Sequence, residues 1–463
     1  MNIRIHSFSI ERHDISTRMP FKYGIATMTH LPHIFLRVEA SFAGKIVKGI
    51  SADHLPPKWF TKDPTRDPLD EIDEMLRVIE KAGEHAKSIA SETVFDFWSQ
   101  LYKRQAAWSA DENLPPLLAH FGTSLVERAL IDAFCRFQQK PFSELLQENA
   151  FGIDWGELRP ELSGFEPKDL LPPPLSTLIV RHTVGLADYL YEDEIPSEER
   201  VEDGLPQALE SCIQFYGSKH LKIKVNGNFD QDIKRLRAIS DLLSKLEIKE
   251  YGFTLDGNEQ FHDVGSFREA WNAWQADESL EQFFGHLIFV EQPFHRSIAL
   301  SDAIGDSLKT WKDAPPIIID ESDATLDSMP HALELGYRGT SHKNCKGVFK
   351  GIINRAAINH KNREAGEERY LMSGEDLSNI GPIASHQDLV VQACLGNASV
   401  ERNGHHYFRG LSVFDASLQE TVLAGFPQLY LKDAGGYARL NTRQGELNVK
   451  PVTDYLFGTN VQP

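Results

Sequence analysis

LIFVEQP at residues 287–293 and PIIIDES at residues 316–322 each carry an apolar run straight into a carboxylate. Short continuous apolar runs closed by a turn signal read as strands buried on both faces, the signature of a parallel sheet. The pattern recurs on either side. STLIVRHTV (176–184), HLKIKV (220–225) and YGFTLD (251–256) precede it, and GTSHK (339–343) and RYLMSGE (369–375) follow. Helix-like text separates these runs, most plainly KRLRAISDLLSKL (234–246) and FREAWNAWQ (267–275). Strand–helix units in succession build a parallel α/β sheet, and at least seven of them favour a closed (β/α)₈ barrel over an open one.

Working outward, the barrel text occupies residues 176–433. Residues 151–175 before it are irregular and proline-rich, and LLPPPLSTL (170–178) has three consecutive prolines that fit neither a helix interior nor a central strand. This segment reads as a linker. Residues 1–150 read as a separate α+β domain, with strand-like alternation at 3–5 and in HIFLRVEASF (33–42), then helical spacing over 70–103 and 124–140. In the second helix Leu125, Ala129 and Ala133 recur four apart, and Ser124 with Glu127 predicts a capping box at its start. Residues 434–463 lose the repeat and are expected to fold back on the first domain.

The chain has 463 residues, enough for a sizeable core and two domains. Its 67 acidic and 48 basic residues leave a formal charge of −19, a field that repels phosphate backbones and anionic lipid surfaces. Nucleic acid and membrane are therefore not expected partners. Cys135, Cys212, Cys345 and Cys394 show no CxxC and no metal-ligand spacing. No window approaches the roughly 18 apolar residues of a membrane span, and the first residues do not resemble a leader, so a soluble cytoplasmic protein is expected.

In a (β/α)₈ barrel the working residues lie at the C-terminal ends of the strands. Here those ends are charged: Lys222 and Lys224, then Asp256, Glu291 and Asp320. Lys222 and Lys224 are two apart on a strand and share a face. Three carboxylates converging at the barrel mouth call for a cation, and a hard divalent ion with oxygen ligands, Mg²⁺ with Mn²⁺ as alternative, resolves their repulsion. Each carboxylate taken singly is better read as a strand-end or helix-capping acid; three in succession favour ligation. Asn258 and Glu259 are candidate supporting partners. Lys343 ends the next strand, while Lys346 and Lys350 fall in the following turn and helix, where solvated charge is the plain reading.

The ordered set K-x-K, D-x-N, V-E-Q-P, D-E-S and a later lysine resembles the barrel of the enolase superfamily. Within it, the mandelate racemase/muconate lactonizing enzyme family is the nearer likeness, in particular the muconate-lactonizing subgroup with two opposed lysines. SLVERALIDAFCRFQQKPFSELL (124–146) and PFKYGIATMTHLPHIFLRVEA (20–40) are similar to that family's capping domain. The resemblance implies a modified, TIM-barrel-like fold with an N-terminal α+β capping domain. It implies Mg²⁺ on Asp256, Glu291 and Asp320, Lys224 as base, Lys222 as its electrostatic partner, and Lys343 as acid/base on the opposite face, with Lys346 as the alternative. The chain departs from the family in having the single Gly347 after that lysine, and Leu377 where an acid is common. Glu375 and Asp376 are out of register with that acid, so Glu375 is only a candidate substrate contact. Phe21, Tyr23 and Met28 stand in a loop that closes over the barrel in relatives. His30, His33, His405 and His406 read as ordinary loop histidines, and the acidic segment 191–203 as a solvated loop.

The chemistry implied is removal of a proton α to a carboxylate, giving an enediolate, in a racemase, epimerase, cycloisomerase or syn-eliminating lyase. A lysine acts as a base near neutral pH only where nearby positive charge favours its neutral form, and an adjacent ammonium with a divalent cation provides that. Three carboxylates against a dication and three ammonium groups leave the site positive, so a small carboxylate substrate is compatible with the negative chain. The alternatives are a Schiff-base aldolase using one of these lysines, and a non-catalytic relative. A homo-oligomer is expected.

Overall fold

The computed structural model describes residues 1–23 and 25–459. Eight strands form a closed parallel barrel: β4 (Thr177–Val184), β5 (His220–Lys224), β6 (Gly252–Asp256), β7 (Leu287–Glu291), β8 (Ile317–Ile319), β9 (Gly339–His342), β10 (Leu371–Gly374) and β11 (Ser399–Glu401). β11 pairs back onto β4, with Glu401 opposite Arg181, and this closes the ring. The (β/α)-barrel expectation holds. β8 and β11 are only three residues long.

The N-terminal domain is an antiparallel sheet of β1 (Ile3–Tyr23), β2 (Ala26–Phe42) and β3 (Lys45–His54) against α1 (Pro68–Lys87), α2 (Val94–Asp111) and α3 (Pro116–Gln138). The single helix expected over 70–103 is two helices, because Thr93 caps a second one by accepting from the Asp96 N–H. Sheet and helix meet closely: a Cβ on Gly49 of β3 would lie 2.0 Å from the Ala129 carbonyl oxygen of α3.

The predicted capping box is not formed. Ser124 lies inside α3 and its hydroxyl donates back to the Phe121 carbonyl at 2.8 Å. Glu127 instead reaches the other domain and accepts from the Val348 and Phe349 N–H groups at 3.0 and 2.7 Å. It thereby caps the helix Val348–Ala365 that follows β9.

The expected loop around Phe21 is a ribbon. β1 and β2 continue their pairing past a bulge after Ser16, with Phe21 opposite Met28 and Tyr23 opposite Ala26. The Tyr23 side chain lies outside the described residues. The segment 191–203 is not merely a solvated loop: Arg18 of the ribbon donates to Asp203 at 2.6 and 2.9 Å and to the Leu205 and Pro206 carbonyls. At the C-terminus, β12 (Tyr430–Lys432) pairs with β13 (Ala438–Leu440), and β14 (Glu446–Asn448) adds antiparallel to β4. The chain then meets the first domain, where the Phe142 N–H donates to the Leu456 carbonyl at 2.6 Å.

Candidate active site

Barrel register places the charged residues in one layer. Lys224 pairs across to Asp256, and Asp256 to Glu291. Glu291 is opposite Ile318, two residues before Asp320 on the same face. Thr340 is opposite Ile319, so Ser341 and Lys343 share the side of Asp320, and beyond them Glu375 and Glu401 continue the same alternation. Period-two alternation around a closed barrel thus delivers Lys222, Lys224, Asp256, Glu291, Asp320, Lys343, Glu375 and Glu401 to the interior face of the mouth. All are nearly fully buried.

Lys222 is the hub. Its Nζ lies 3.1 Å from Asp256, 2.9 Å from Glu291, 2.7 Å from Glu375 and 3.1 Å from Glu401. Burial works against its charge, but these four carboxylates outweigh burial and hold it well above the usual lysine range. Lys224 reaches Asp256 Oδ2 at 2.5 Å. Asp320 receives Lys343 on one oxygen, and on the other Lys346 at 2.8 Å and the Ser341 hydroxyl. Burial disfavours the Asp320 charge, but Lys343, Lys346 and Lys222 keep it well below the carboxylate range.

Lys346 and Lys350 are corrected from solvated charges to buried ion pairs. Lys346 sits in the turn Asn344–Lys346 against Asp320 and Ser341, and Lys350 pairs with Asp323 at 2.9 Å. Lys343 lines the cleft at the barrel mouth, whereas Lys346 does not.

Asp256, Glu291 and Asp320 offer a divalent ion only oxygen donors, from three adjacent strands. Burial, then the charge of Glu375, and further the charges of Asp256 and Asp320 push Glu291 well above its usual range even beside Lys222. Glu291 thus crowds against other carboxylates with one ammonium beside it, a setting that fits a dication. The oxygens are nevertheless held by ammonium groups rather than drawn to one point. Among the described residues, the trio of His, Cys, Asp or Glu donors lying within 4.8 Å of one another is elsewhere, at His182, Cys212 and His406.

The roof comes from the first domain. The Lys343 Nζ lies 5.0 Å from the centre of the Trp59 ring. Trp59 is held by Arg296, which donates to the Trp59 and Phe60 carbonyls at 3.0 Å and to Glu259 at 2.7 and 2.8 Å. Lys62 adds a bond to the Asn258 carbonyl at 2.5 Å and an ion pair with Glu259 at 3.2 Å. Asn258 also lines the cleft, and its N–H donates to Asp256 at 2.9 Å. From the ribbon come Phe21 and Met28, with Phe21 against Tyr407 at a ring separation of 4.2 Å. Leu377 and Asp376 line the cleft too, whereas Glu375 lies beneath it, bonded to Lys222, Arg181 and Ser373.

Sequence reading misses Glu401, Arg181, Trp59, Lys62, Arg296 and Glu321 as parts of this site. For Glu401 the strand is too short to show as an apolar run; Arg181, Trp59, Lys62 and Arg296 stand in loops or below the mouth, with no local pattern. Glu321 was visible in D-E-S. Burial and then the neighbouring Asp320 and Glu259 charges raise it to about 7.

No family model and no curated sequence matches this chain. Its structure is similar to that of a mandelate racemase/muconate lactonizing protein from Herpetosiphon aurantiacus, with TM-score 0.62 and 15% identity over 99% of both chains. A dipeptide epimerase from Enterococcus faecalis, complexed with Mg and the dipeptide L-Leu-L-Tyr, gives TM-score 0.62 and 15% identity over 98% of this chain and 99% of that one. A muconate lactonizing enzyme from Pseudomonas fluorescens, complexed with muconolactone, gives TM-score 0.60 and 15% identity over 99% and 97%. These likenesses span the whole chain and establish the fold, a modified barrel under an N-terminal capping domain.

Proposed function

We propose that this chain is an enolase-superfamily isomerase or lyase of the mandelate racemase/muconate lactonizing type, with two working lysines, acting on a small carboxylate. One observation carries the reading: Lys224 of β5 and Lys343 beyond β9 enter one cleft from strands four apart in an eight-stranded ring, hence from opposite sides. Asp256, Glu291 and Asp320 would hold the Mg²⁺ or Mn²⁺, which supplies positive charge where negative charge grows on the substrate carboxylate.

Lys224 takes the α proton from one face of the substrate, and Lys343 gives or takes it at the other. Lys222, fixed among four carboxylates, keeps a positive charge beside Lys224 through their common partner Asp256. Trp59, Phe21 and Met28 cover the cleft and exclude water from the carbanionic intermediate. Two opposed lysines favour racemisation or epimerisation; cycloisomerisation or elimination needs one. Arg181 and Lys346 balance the additional charges of Glu375 and Glu401, so with a dication bound the site would carry a positive excess to attract an anion.

The test is proton NMR in deuterated water with acid sugars, N-acyl amino acids, dipeptides and muconate-type lactones. Exchange at the α carbon that depends on Mg²⁺ is expected for at least one class. A substrate turned over with its α proton still exchanging in Lys224→Ala and Lys343→Ala together overturns the assignment.

A further inference from the structure

We propose that His182, Cys212 and His406 form a second metal site, which takes a thiophilic divalent ion such as Zn²⁺ behind the wall of the barrel. One donor atom from each lies within 4.8 Å of the other two, and all three side chains are buried. The Cys212 Sγ is 4.0 Å from His406 Nε2. Tetrahedral zinc, with bonds of about 2.3 Å to sulfur and about 2.0–2.1 Å to nitrogen, sets its ligand atoms roughly 3.3–3.6 Å apart. Closing on an ion therefore asks for a contraction of about 0.5 Å between Cys212 and His406, and of at most about 1.5 Å for the other pairs.

Three elements meet here. His182 is in β4, where its neighbours Arg181 and Thr183 both face the interior, bonded to Glu375 and Glu401, so alternation turns His182 outward. Cys212 lies on the helix Leu209–Tyr216, and His406 on the turn Gly404–Tyr407 after β11. None of the three belongs to the cleft.

Two features distinguish the trio from ordinary packing. The His182 Nδ1 is buried with no hydrogen-bond partner, a cost that metal ligation would relieve. The Tyr216 hydroxyl meets His406 Nδ1 at 3.1 Å, on the opposite ring nitrogen from the one beside the thiol, as the orienting partner of a ligating histidine does. His405 stands next to them against the Tyr216 ring, at 5.0 Å between centres, with both of its ring nitrogens buried and unpartnered. Burial holds His182, His405 and His406 well below the usual imidazole range, which leaves their lone pairs free, and burial keeps the Cys212 thiol protonated until a metal displaces the proton. One sulfur with imidazole nitrogens selects zinc over Mg²⁺, which demands oxygen. The ion would tie β4 and its covering helix to the segment that carries Asn403 into the cleft and Tyr407 against Phe21 of the ribbon.

The experiment uses the full chain, stripped with a chelator, dialysed against excess Mg²⁺ to fill the oxygen site, and titrated with Zn²⁺ or with Co²⁺ as its coloured surrogate. Expected are one ion retained per chain after gel filtration and a thiolate-to-cobalt charge-transfer band in the near ultraviolet. Both disappear in Cys212→Ser and in His406→Gln, each checked for folding by circular dichroism. Tyr216→Phe weakens the affinity by about 10-fold or more. Asp320→Asn, which removes a carboxylate from the cleft, keeps both signals. Failure to retain zinc, uptake without the band, or a band that survives in Cys212→Ser overturns the site, whatever the reaction proves to be.

Discussion

Lys222 and Lys224 reach the same oxygen of Asp256, at 3.1 and 2.5 Å, yet the two ammonium groups do different work. Lys222 also binds Glu291, Glu375 and Glu401; removing it leaves Glu291 and Glu401 with no ion-pair partner among the described residues, while Asp256 keeps Lys224 and Glu375 keeps Arg181. Breaking a buried ion pair costs about 3–5 kcal/mol. Lys222→Met is therefore expected to lower the urea midpoint sharply, and more than Lys224→Ala, whose ammonium touches one carboxylate. Lys224→Ala is expected to fold and to lose proton removal by about 10²–10⁴-fold. Equal denaturation midpoints for the two variants would contradict this division.

Arg296 offers a separate handle on the roof. It bonds the Trp59 and Phe60 carbonyls and Glu259 but does not touch the lysines of the barrel mouth. Arg296→Ala frees the loop that sets Trp59 over Lys343. Steady-state kinetics on any substrate found should show KM raised by more than kcat falls, by about 10-fold, the pattern of lost substrate enclosure rather than lost acid/base chemistry. A fall confined to kcat would mean that Trp59 placement governs the proton transfer itself.

Asp320 joins the metal question to the lysine question, since it holds Lys343 and Lys346 while belonging to the proposed ligand set. Asp320→Asn keeps an oxygen acceptor for Ser341 but loses the charge. Calorimetric titration of the wild type with Mg²⁺ should give a single binding event that weakens by at least about 10-fold in this variant. Unchanged Mg²⁺ affinity would place the ion elsewhere.

What the sequence shows of this site depends on where each residue sits in the barrel. Lys224, Asp256, Glu291 and Asp320 end apolar runs, so both their strands and their outlying charges are visible. Glu401 ends a strand of three residues and leaves no such run. Glu375 is legible once alternation is counted round the ring, because Lys343 and Glu375 occupy neighbouring strands on one face. Lys346 and Lys350 look like solvated charge because their anions, Asp320 and Asp323, lie more than twenty residues away. Trp59, Lys62 and Arg296 are beyond local pattern altogether, since a cap loop and a barrel loop must dock before they meet. The same limit misreads Glu127, whose spacing from Ser124 imitates a capping box while its carboxylate serves a helix of the other domain.

Glu127 makes that joint sensitive to pH. Burial, only partly offset by the N–H groups of Phe349 and Val348 and by Arg128, raises its carboxyl from 4.5 to about 7 in the folded chain. The folded state thus binds this proton more tightly than the unfolded state. Its contribution to stability is complete below about pH 4.5, declines as pH rises, and is lost above about pH 7. Between pH 5 and pH 8 the loss is about 2–3 kcal/mol. Glu127→Gln cannot ionise and has one acceptor oxygen for two N–H donors, so it starts with a deficit that does not vary with pH. Chemical denaturation at pH 5 and at pH 8 should therefore show the variant losing to the wild type at the acid end and recovering about 2–3 kcal/mol of that difference at the alkaline end. A difference that stays constant across the range would show that Glu127 is ionised in both states and that the two N–H groups of the barrel helix fully compensate its burial.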